Sequence, residues 1–128
     1  MKLSPLTYAY IGDAVYELYI RKRLIDEHPQ WNPHFYFLKS IEYVKASNQA
    51  KALRQLWDNL DDEEKQIVKM GRNAKPKTIP KNATVSDYKF ATAFECLIGF
   101  LYINNSFQRL DDILQKTYEI LNKKGDDK

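Results

Sequence analysis

The sequence predicts an all-α fold, and three observations carry that reading. A capping residue stands directly before a proline twice, at Ser4-Pro5 and Asn32-Pro33, which is a helix start signal. The segment "DDEEKQIVKMG" opens on acids, which suit the positive end of a helix dipole, and closes on Gly71. Segments with the alternating pattern of a strand are few.

Five helical segments follow in order. Ser4 caps the first, whose apolar positions continue to about Ile25 before His28-Pro29 stops it. Asn32 caps "HFYFLKSIEYVKASNQAKALRQLWDNL", which is either one long helix or two broken near Ser47. The acid-led segment ending at Gly71 comes third. "RNAKPKTIPKNATV", with two prolines and two asparagines, reads as a loop. Ser86 is placed to cap "DYKFATAFECLIGFLYIN", and Ser106 to cap "FQRLDDILQKTYEILNKK", which runs to Gly125. The expected organisation is one domain over residues 1–124 and a frayed tail over 125–128, with no internal repeat.

Bulk properties narrow the class. With 44% hydrophobic residues the chain can bury a core, and no window holds the roughly 18 consecutive apolar residues of a membrane span. The first residues lack a continuous apolar signal region. A cytoplasmic protein without membrane association is expected. Cys96 is alone, which excludes an intrachain disulfide and a thiolate zinc cluster. His28 and His34 stand six apart beside prolines, a poor ligand spacing, and read as surface residues. Cys96 reads as core.

Two helices are apolar on more than one side. At about 100° per residue, Ile11, Val15 and Leu18 share one side of the first, with Tyr8 and Tyr19 flanking it. Leu6, Ile20 and Leu24 occupy another, and Asp13 falls among them. Such a helix reads as central rather than peripheral. Glu17 lies four residues after Asp13, on the same face. In the other helix Glu95 is the only charged residue between Lys89 and Arg109. A carboxylate in those surroundings is desolvated and tends to hold its proton. Two readings stand. Each acid meets a basic side chain or lines a small polar pocket. Or Asp13 and Glu95 converge, and their repulsion calls for a hard divalent cation such as Mg²⁺. Gly12 and Gly99 lie beside and one turn after these acids, and each costs about 0.5–1 kcal/mol in a helix interior. They mark close helix packing, or close approach of a metal site or partner subunit.

Charge is uneven despite a net +3. From Lys65 to Ser86 there are six basic residues and no acid: Lys65, Lys69, Arg72, Lys75, Lys77 and Lys81. This is either a solvated face or a phosphate-binding segment, with Asn73, Thr78 and Asn82 as neutral donors. A second basic group is Arg21-Lys22-Arg23. A carboxylate pair with a phosphate-binding loop suggests metal-assisted phosphodiester chemistry.

These motifs resemble a known family. "YIGDAVYEL" is similar to the signature helix of ribonuclease III catalytic domains, and "ATAFECLIGFLYI" to their second conserved helix. "YVKASNQAKAL", the chain's size, the lack of a double-stranded-RNA-binding domain and "GRNAKPKTIPKNATVSDYKFATAFECLIGFLY" resemble the Mini-III ribonucleases specifically. The resemblance implies an all-α endonuclease domain acting as a homodimer on double-stranded RNA with Mg²⁺, for which Mn²⁺ substitutes. It implies maturation of the ends of the large-subunit (23S) ribosomal RNA precursor in bacteria, with ribosomal protein L3 as a partner. Asp13 and Glu95 match the catalytic, metal-binding acids, and Glu17 a supporting acid one turn on. Arg72, Asn73, Lys75, Lys77 and Lys81 would bind RNA. Two positions depart from the full-length enzymes: Ala9 stands in place of a glutamate, and Thr92 in place of an aspartate. Fewer direct ligands imply a metal held partly by water and RNA phosphate. The rival reading is a ribonuclease III-like module that binds RNA or ribosomal particles with weak or no catalysis.

Overall fold

A computed structural model describes residues 3–75 and 84–122. Among the described residues six α-helices form in chain order: α1 (Pro5–Glu27), α2 (Pro33–Val44), α3 (Ala46–Leu56), α4 (Asp62–Asn73), α5 (Val85–Ile103) and α6 (Phe107–Asn122). A single 3₁₀ turn, Trp57–Asn59, leads from α3 toward α4. No strand occurs among the described residues, so the all-α expectation holds.

The caps explain most helix starts. Ser4 Oγ accepts from the Thr7 N–H at 3.1 Å, with Pro5 at the first position. Asn32 Oδ1 accepts from the Phe35 N–H at 2.9 Å. Asp61 and Glu64 form a reciprocal capping box at α4. Thr84, not Ser86, caps α5 by accepting from the Asp87 N–H at 3.0 Å. α1 ends at Glu27 with His28 as its C-cap, where the sequence places the stop. One end differs from expectation: α4 passes through Gly71 to Asn73, so Arg72 and Asn73 are helical rather than loop residues. Gly71 ends nothing: a Cβ there would lie 2.9 Å from the Ala93 Cα and the Cys96 Cβ, so it lets α4 press against α5. The expected end at Gly125 and the tail lie outside the described residues.

The long second segment is two helices, separated at Lys45, whose backbone is extended (φ −65°, ψ 150°). A break leaves the last carbonyls of α2 without helical donors. The side chains of Asn48 and Gln49, one turn into α3, donate to the Glu42 and Val44 carbonyls. The break is thereby built into the sequence that follows it.

α5 is the central helix. From Ala91 to Leu101 every residue except Glu95 is buried. It packs on α1, α3, α4 and α6. α1 contributes a narrower buried stripe, Tyr8, Ala9, Gly12, Tyr16, Ile20 and Leu24. This corrects the expectation of a fully central first helix: Leu6, Tyr10, Leu18 and Ile25 face outward, Tyr10 at 83% exposure and Leu18 at 69%. His28 is half-buried and stacks on Trp31, ring centroids 3.9 Å apart, whereas His34 is exposed. Cys96 is buried, as expected of a core residue, and its thiol is pushed up to about 12 by desolvation.

Candidate active site

The site lies where α1 crosses α5. The two glycines make that crossing. A Cβ on Gly12 would be driven into the Glu95 carbonyl and would lie 2.8 Å from the Gly99 backbone nitrogen. A Cβ on Gly99 would meet the Tyr8 carbonyl and lie 3.0 Å from the Ile11 side chain. Backbone therefore meets backbone on both sides, which only glycine permits. The close approach brings Asp13, next to Gly12, within hydrogen-bonding reach of Glu95.

The electrostatics are those of two acids sharing a proton. Glu95 is pushed up to about 8, by desolvation first and then by the charge of Asp13, while a hydrogen bond from Gln49 opposes the rise. Asp13 is also raised, by desolvation and then by the charge of Glu17, with its bond to Glu95 pulling the other way. The bond between them couples the two titrations, and Glu95, the more deeply buried of the two, is the more strongly raised. No basic side chain of the described residues is among the leading causes of either shift. Of the two sequence readings, convergence is the one observed.

Glu17 faces both acids electrostatically while its carboxylate pairs with Arg21 at 3.2 Å. Its carboxylate is thus a structural partner of a base, and its charge acts on both acids. The pair also removes Arg21 from the expected second basic group. Lys22 bonds Asp26 at 2.7 Å, and Arg23 bonds Tyr19 at 2.7 Å and Glu27 at 3.0 Å. Each member of the triplet thus has a hydrogen-bonded partner on its own helix.

Ala9 and Thr92, the two expected departures from the full-length pattern, are both buried, and the Thr92 hydroxyl donates to the Tyr88 carbonyl at 3.0 Å. Among the described residues no cluster of three His, Cys, Asp or Glu side chains could hold a metal. The donor chemistry still fits a hard cation: two convergent carboxylates, a third acid nearby, and a buried acceptor, Gln49 Oε1, without a donor. A cation that keeps several waters needs few protein ligands, and its waters need acceptors.

The sequence reading passed over Gln49. It is 3% exposed on α3, and its Nε2 donates to Glu95 Oε2 at 3.3 Å. The available signal was its spacing: with Leu53 and Leu56 it forms the buried stripe of α3. Arg72 and Asn73 occupy the last turn of α4, beside the Gly71 contact with α5, and Lys75 follows as an exposed residue. Arg72 Nε lies 3.4 Å from Asn73 Oδ1. Lys77 and Lys81 lie outside the described residues.

A six-helix fold with a carboxylate pair at a glycine crossing defines a class. Residues 6–106 match the Ribonuclease III domain family. The chain is 43% identical over 121 residues to a Mini-ribonuclease 3 of Thermoanaerobacter, covering 94% of this chain and 84% of that one. It is 40% identical over 124 residues to a Mini-ribonuclease 3 of Staphylococcus aureus, covering 95% and 92%. A crystal structure of a protein from Fusobacterium nucleatum superposes with a TM-score of 0.83 at 31% identity, covering 92% of this chain and 93% of that one. The chain belongs to the Mini-ribonuclease 3 group of the ribonuclease III family of endoribonucleases.

Proposed function

We propose that this endoribonuclease cleaves double-stranded RNA with Mg²⁺, Mn²⁺ substituting, and that Asp13 and Glu95 hold the cation directly or through its waters. The observation that carries the proposal is the carboxylate pair at the Gly12–Gly99 crossing, which no basic side chain among the described residues neutralises. A divalent ion there supplies a more acidic water as nucleophile and stabilises charge on the leaving 3′-oxygen. Asp13 and Glu95 fix its place, Glu17 adds negative potential, and α5 supplies the low-dielectric floor that strengthens their attraction for it. The products are 5′-phosphate and 3′-hydroxyl ends. Arg72, Asn73, Lys75, Lys77 and Lys81 contact the duplex backbone, giving salt-dependent affinity and modest sequence preference.

The working form is a homodimer. Its support is the outward apolar face of α1, where Tyr10 and Leu18 are exposed and Leu18 lines one groove with Tyr102 and Phe107. Tyr16 takes no part in that face: it is fully buried and donates to the Tyr43 carbonyl at 2.7 Å. Tyr19 is half-buried against Arg23. The substrate is the precursor of large-subunit (23S) ribosomal RNA, in the cytoplasm, with ribosomal protein L3 as a partner. A second reading, a ribonuclease III-like module that binds RNA with little or no cleavage, draws on the missing third ligand at Ala9 and Thr92.

Duplex RNA spanning the paired ends of the precursor, incubated with the protein in Mg²⁺ and in EDTA, tests both. Metal-dependent cutting that disappears in Asp13→Asn is expected. Binding without cutting selects the second reading.

A further inference from the structure

We infer that Gln49 is a positioning residue for Glu95, tying that carboxylate to the α2–α3 junction so that it is presented to the cation in one orientation. The inference rests on the metal-dependent reading above and names a residue that reading does not require.

The geometry is a fork. Gln49 Nε2 donates at 2.8 Å to the Val44 carbonyl and at 3.3 Å to Glu95 Oε2. The Val44 carbonyl can only accept, so the amide turns its NH₂ toward it, and the second hydrogen meets Glu95 Oε2 in the carboxylate form that a cation would bind. The Val44 carbonyl is a rigid anchor. It belongs to the last turn of α2, at a junction where Lys45 is extended and the chain restarts as α3. Gln49 itself is 3% exposed, with Leu53 and Leu56 packed on the same stripe of α3. A side chain so enclosed has few other rotamers, and orientation passes from the junction through the amide to the carboxylate. Its Oε1 is buried without a donor among the described residues. A purely structural glutamine at that position would satisfy both ends of its amide. One aimed at a hydrated ligand need satisfy only the end that faces protein. Groups that orient a ligating carboxylate cost about 10- to 100-fold in metal affinity or activity when removed.

The test compares the wild type with Gln49→Met, which keeps length and volume, and Gln49→Asn, which keeps the amide but shortens its reach. Mg²⁺ and Mn²⁺ binding are measured by calorimetry on the RNA-free protein, beside thermal midpoints in EDTA and cleavage across Mg²⁺ concentrations. The expected result is metal affinity weakened about 10-fold or more in both variants, a lower kcat at subsaturating Mg²⁺, and duplex KM unchanged. Thermal midpoints in EDTA should stay near wild type. Unchanged metal affinity in a folded variant overturns the inference. So does a loss confined to the thermal midpoint, which marks Gln49 as merely structural. Should Gln49→Met fail to fold, Gln49→Asn alone decides. Absence of metal-dependent cleavage by the wild type defeats the functional reading instead, a distinguishable outcome.

Discussion

Glu64 and Glu95 are both glutamates turned into the protein, and they are treated in opposite ways. Glu64 is 3% exposed and receives Arg109 in a two-pronged bond, Nε at 2.7 Å and Nη2 at 2.8 Å, while also accepting from the Asp61 N–H. The Arg109 bonds hold its carboxyl below the ordinary range against the opposing effect of burial. Glu95 meets another acid and an amide, and rises to about 8. A fold that needs a buried carboxylate for structure supplies the counter-charge itself. One that leaves two carboxylates together is held ready for a cation from solution.

Removing each acid's means of neutralisation should separate the two. Glu95→Gln is expected to lower kcat about 10³-fold, several kcal/mol of lost transition-state stabilisation. At pH 8 in EDTA its thermal midpoint should hold or rise, because a repulsive buried charge is gone. Cleavage assays and calorimetry check the two halves. A large loss of stability would make Glu95 a second Glu64.

Close behind comes the crossing that creates the pair. Gly12→Ala gains about 1 kcal/mol of helix propensity but drives a Cβ into the Glu95 backbone, which cannot rotate away. A net loss of about 3 kcal/mol is expected, read by denaturant unfolding. A weaker Mg²⁺ response should accompany it, since the helices must part. A neutral Gly12→Ala would mean that α1 and α5 are not held as described.

Arg109→Met tests the other side. It strands Glu64 in the interior, with an expected cost of about 2–4 kcal/mol; the lower part of that range is favoured because the Arg109 side chain is 30% exposed. Cleavage per folded molecule should be unchanged, because Glu64 and Arg109 make no contact with the carboxylate pair among their described bonds.

How much of this could be read in advance differs between the same two residues. Glu95 announced itself because nothing charged surrounds it in sequence, and a desolvated acid is conspicuous in an apolar run. Glu64 was hidden in "DDEEK", where composition suggests only a solvated helix start. Its partner lies 45 residues away, a distance no local pattern spans. The helices were legible through their caps. The break at Lys45 was less so, because its cause is tertiary: carbonyls at one helix end met by side chains of the next. Likewise α1 carries apolar residues on two sides, and periodicity could not say which side packs within the chain. Gln49 was missed because an amide in an apolar frame looks like any helix-surface residue until its acceptors are known.

Acidity gives a further contrast. Glu95 is raised, so the stability it contributes is complete below the ordinary carboxylate range and is lost as pH rises through about 8. Glu64 is lowered, so its contribution is present above the ordinary range and is lost as pH falls through its depressed value. The thermal midpoint in EDTA should therefore fall as pH rises from the ordinary carboxylate range to about 8, a limb flattened in Glu95→Gln. The acid limb should be reduced in Glu64→Gln. Equal limbs in all three proteins would erase the distinction.

The smallest effect belongs to Glu17, which stands between the two cases: paired with a cation, yet facing the shared proton. Its pair with Arg21 is exposed on one helix turn, so Glu17→Gln should cost about 0.3–0.5 kcal/mol of stability. Losing its negative charge lowers the potential at Asp13 and Glu95, and water screens much of that change. Mg²⁺ affinity is expected to weaken by roughly threefold, under 1 kcal/mol, with kcat at saturating Mg²⁺ unaltered. Calorimetric titration of the RNA-free protein measures the first and single-turnover cleavage the second. If saturating Mg²⁺ fails to restore cleavage in Glu17→Gln, Glu17 is itself a ligand. The site would then rest on three acids, with Arg21 as the cation it releases when the metal binds.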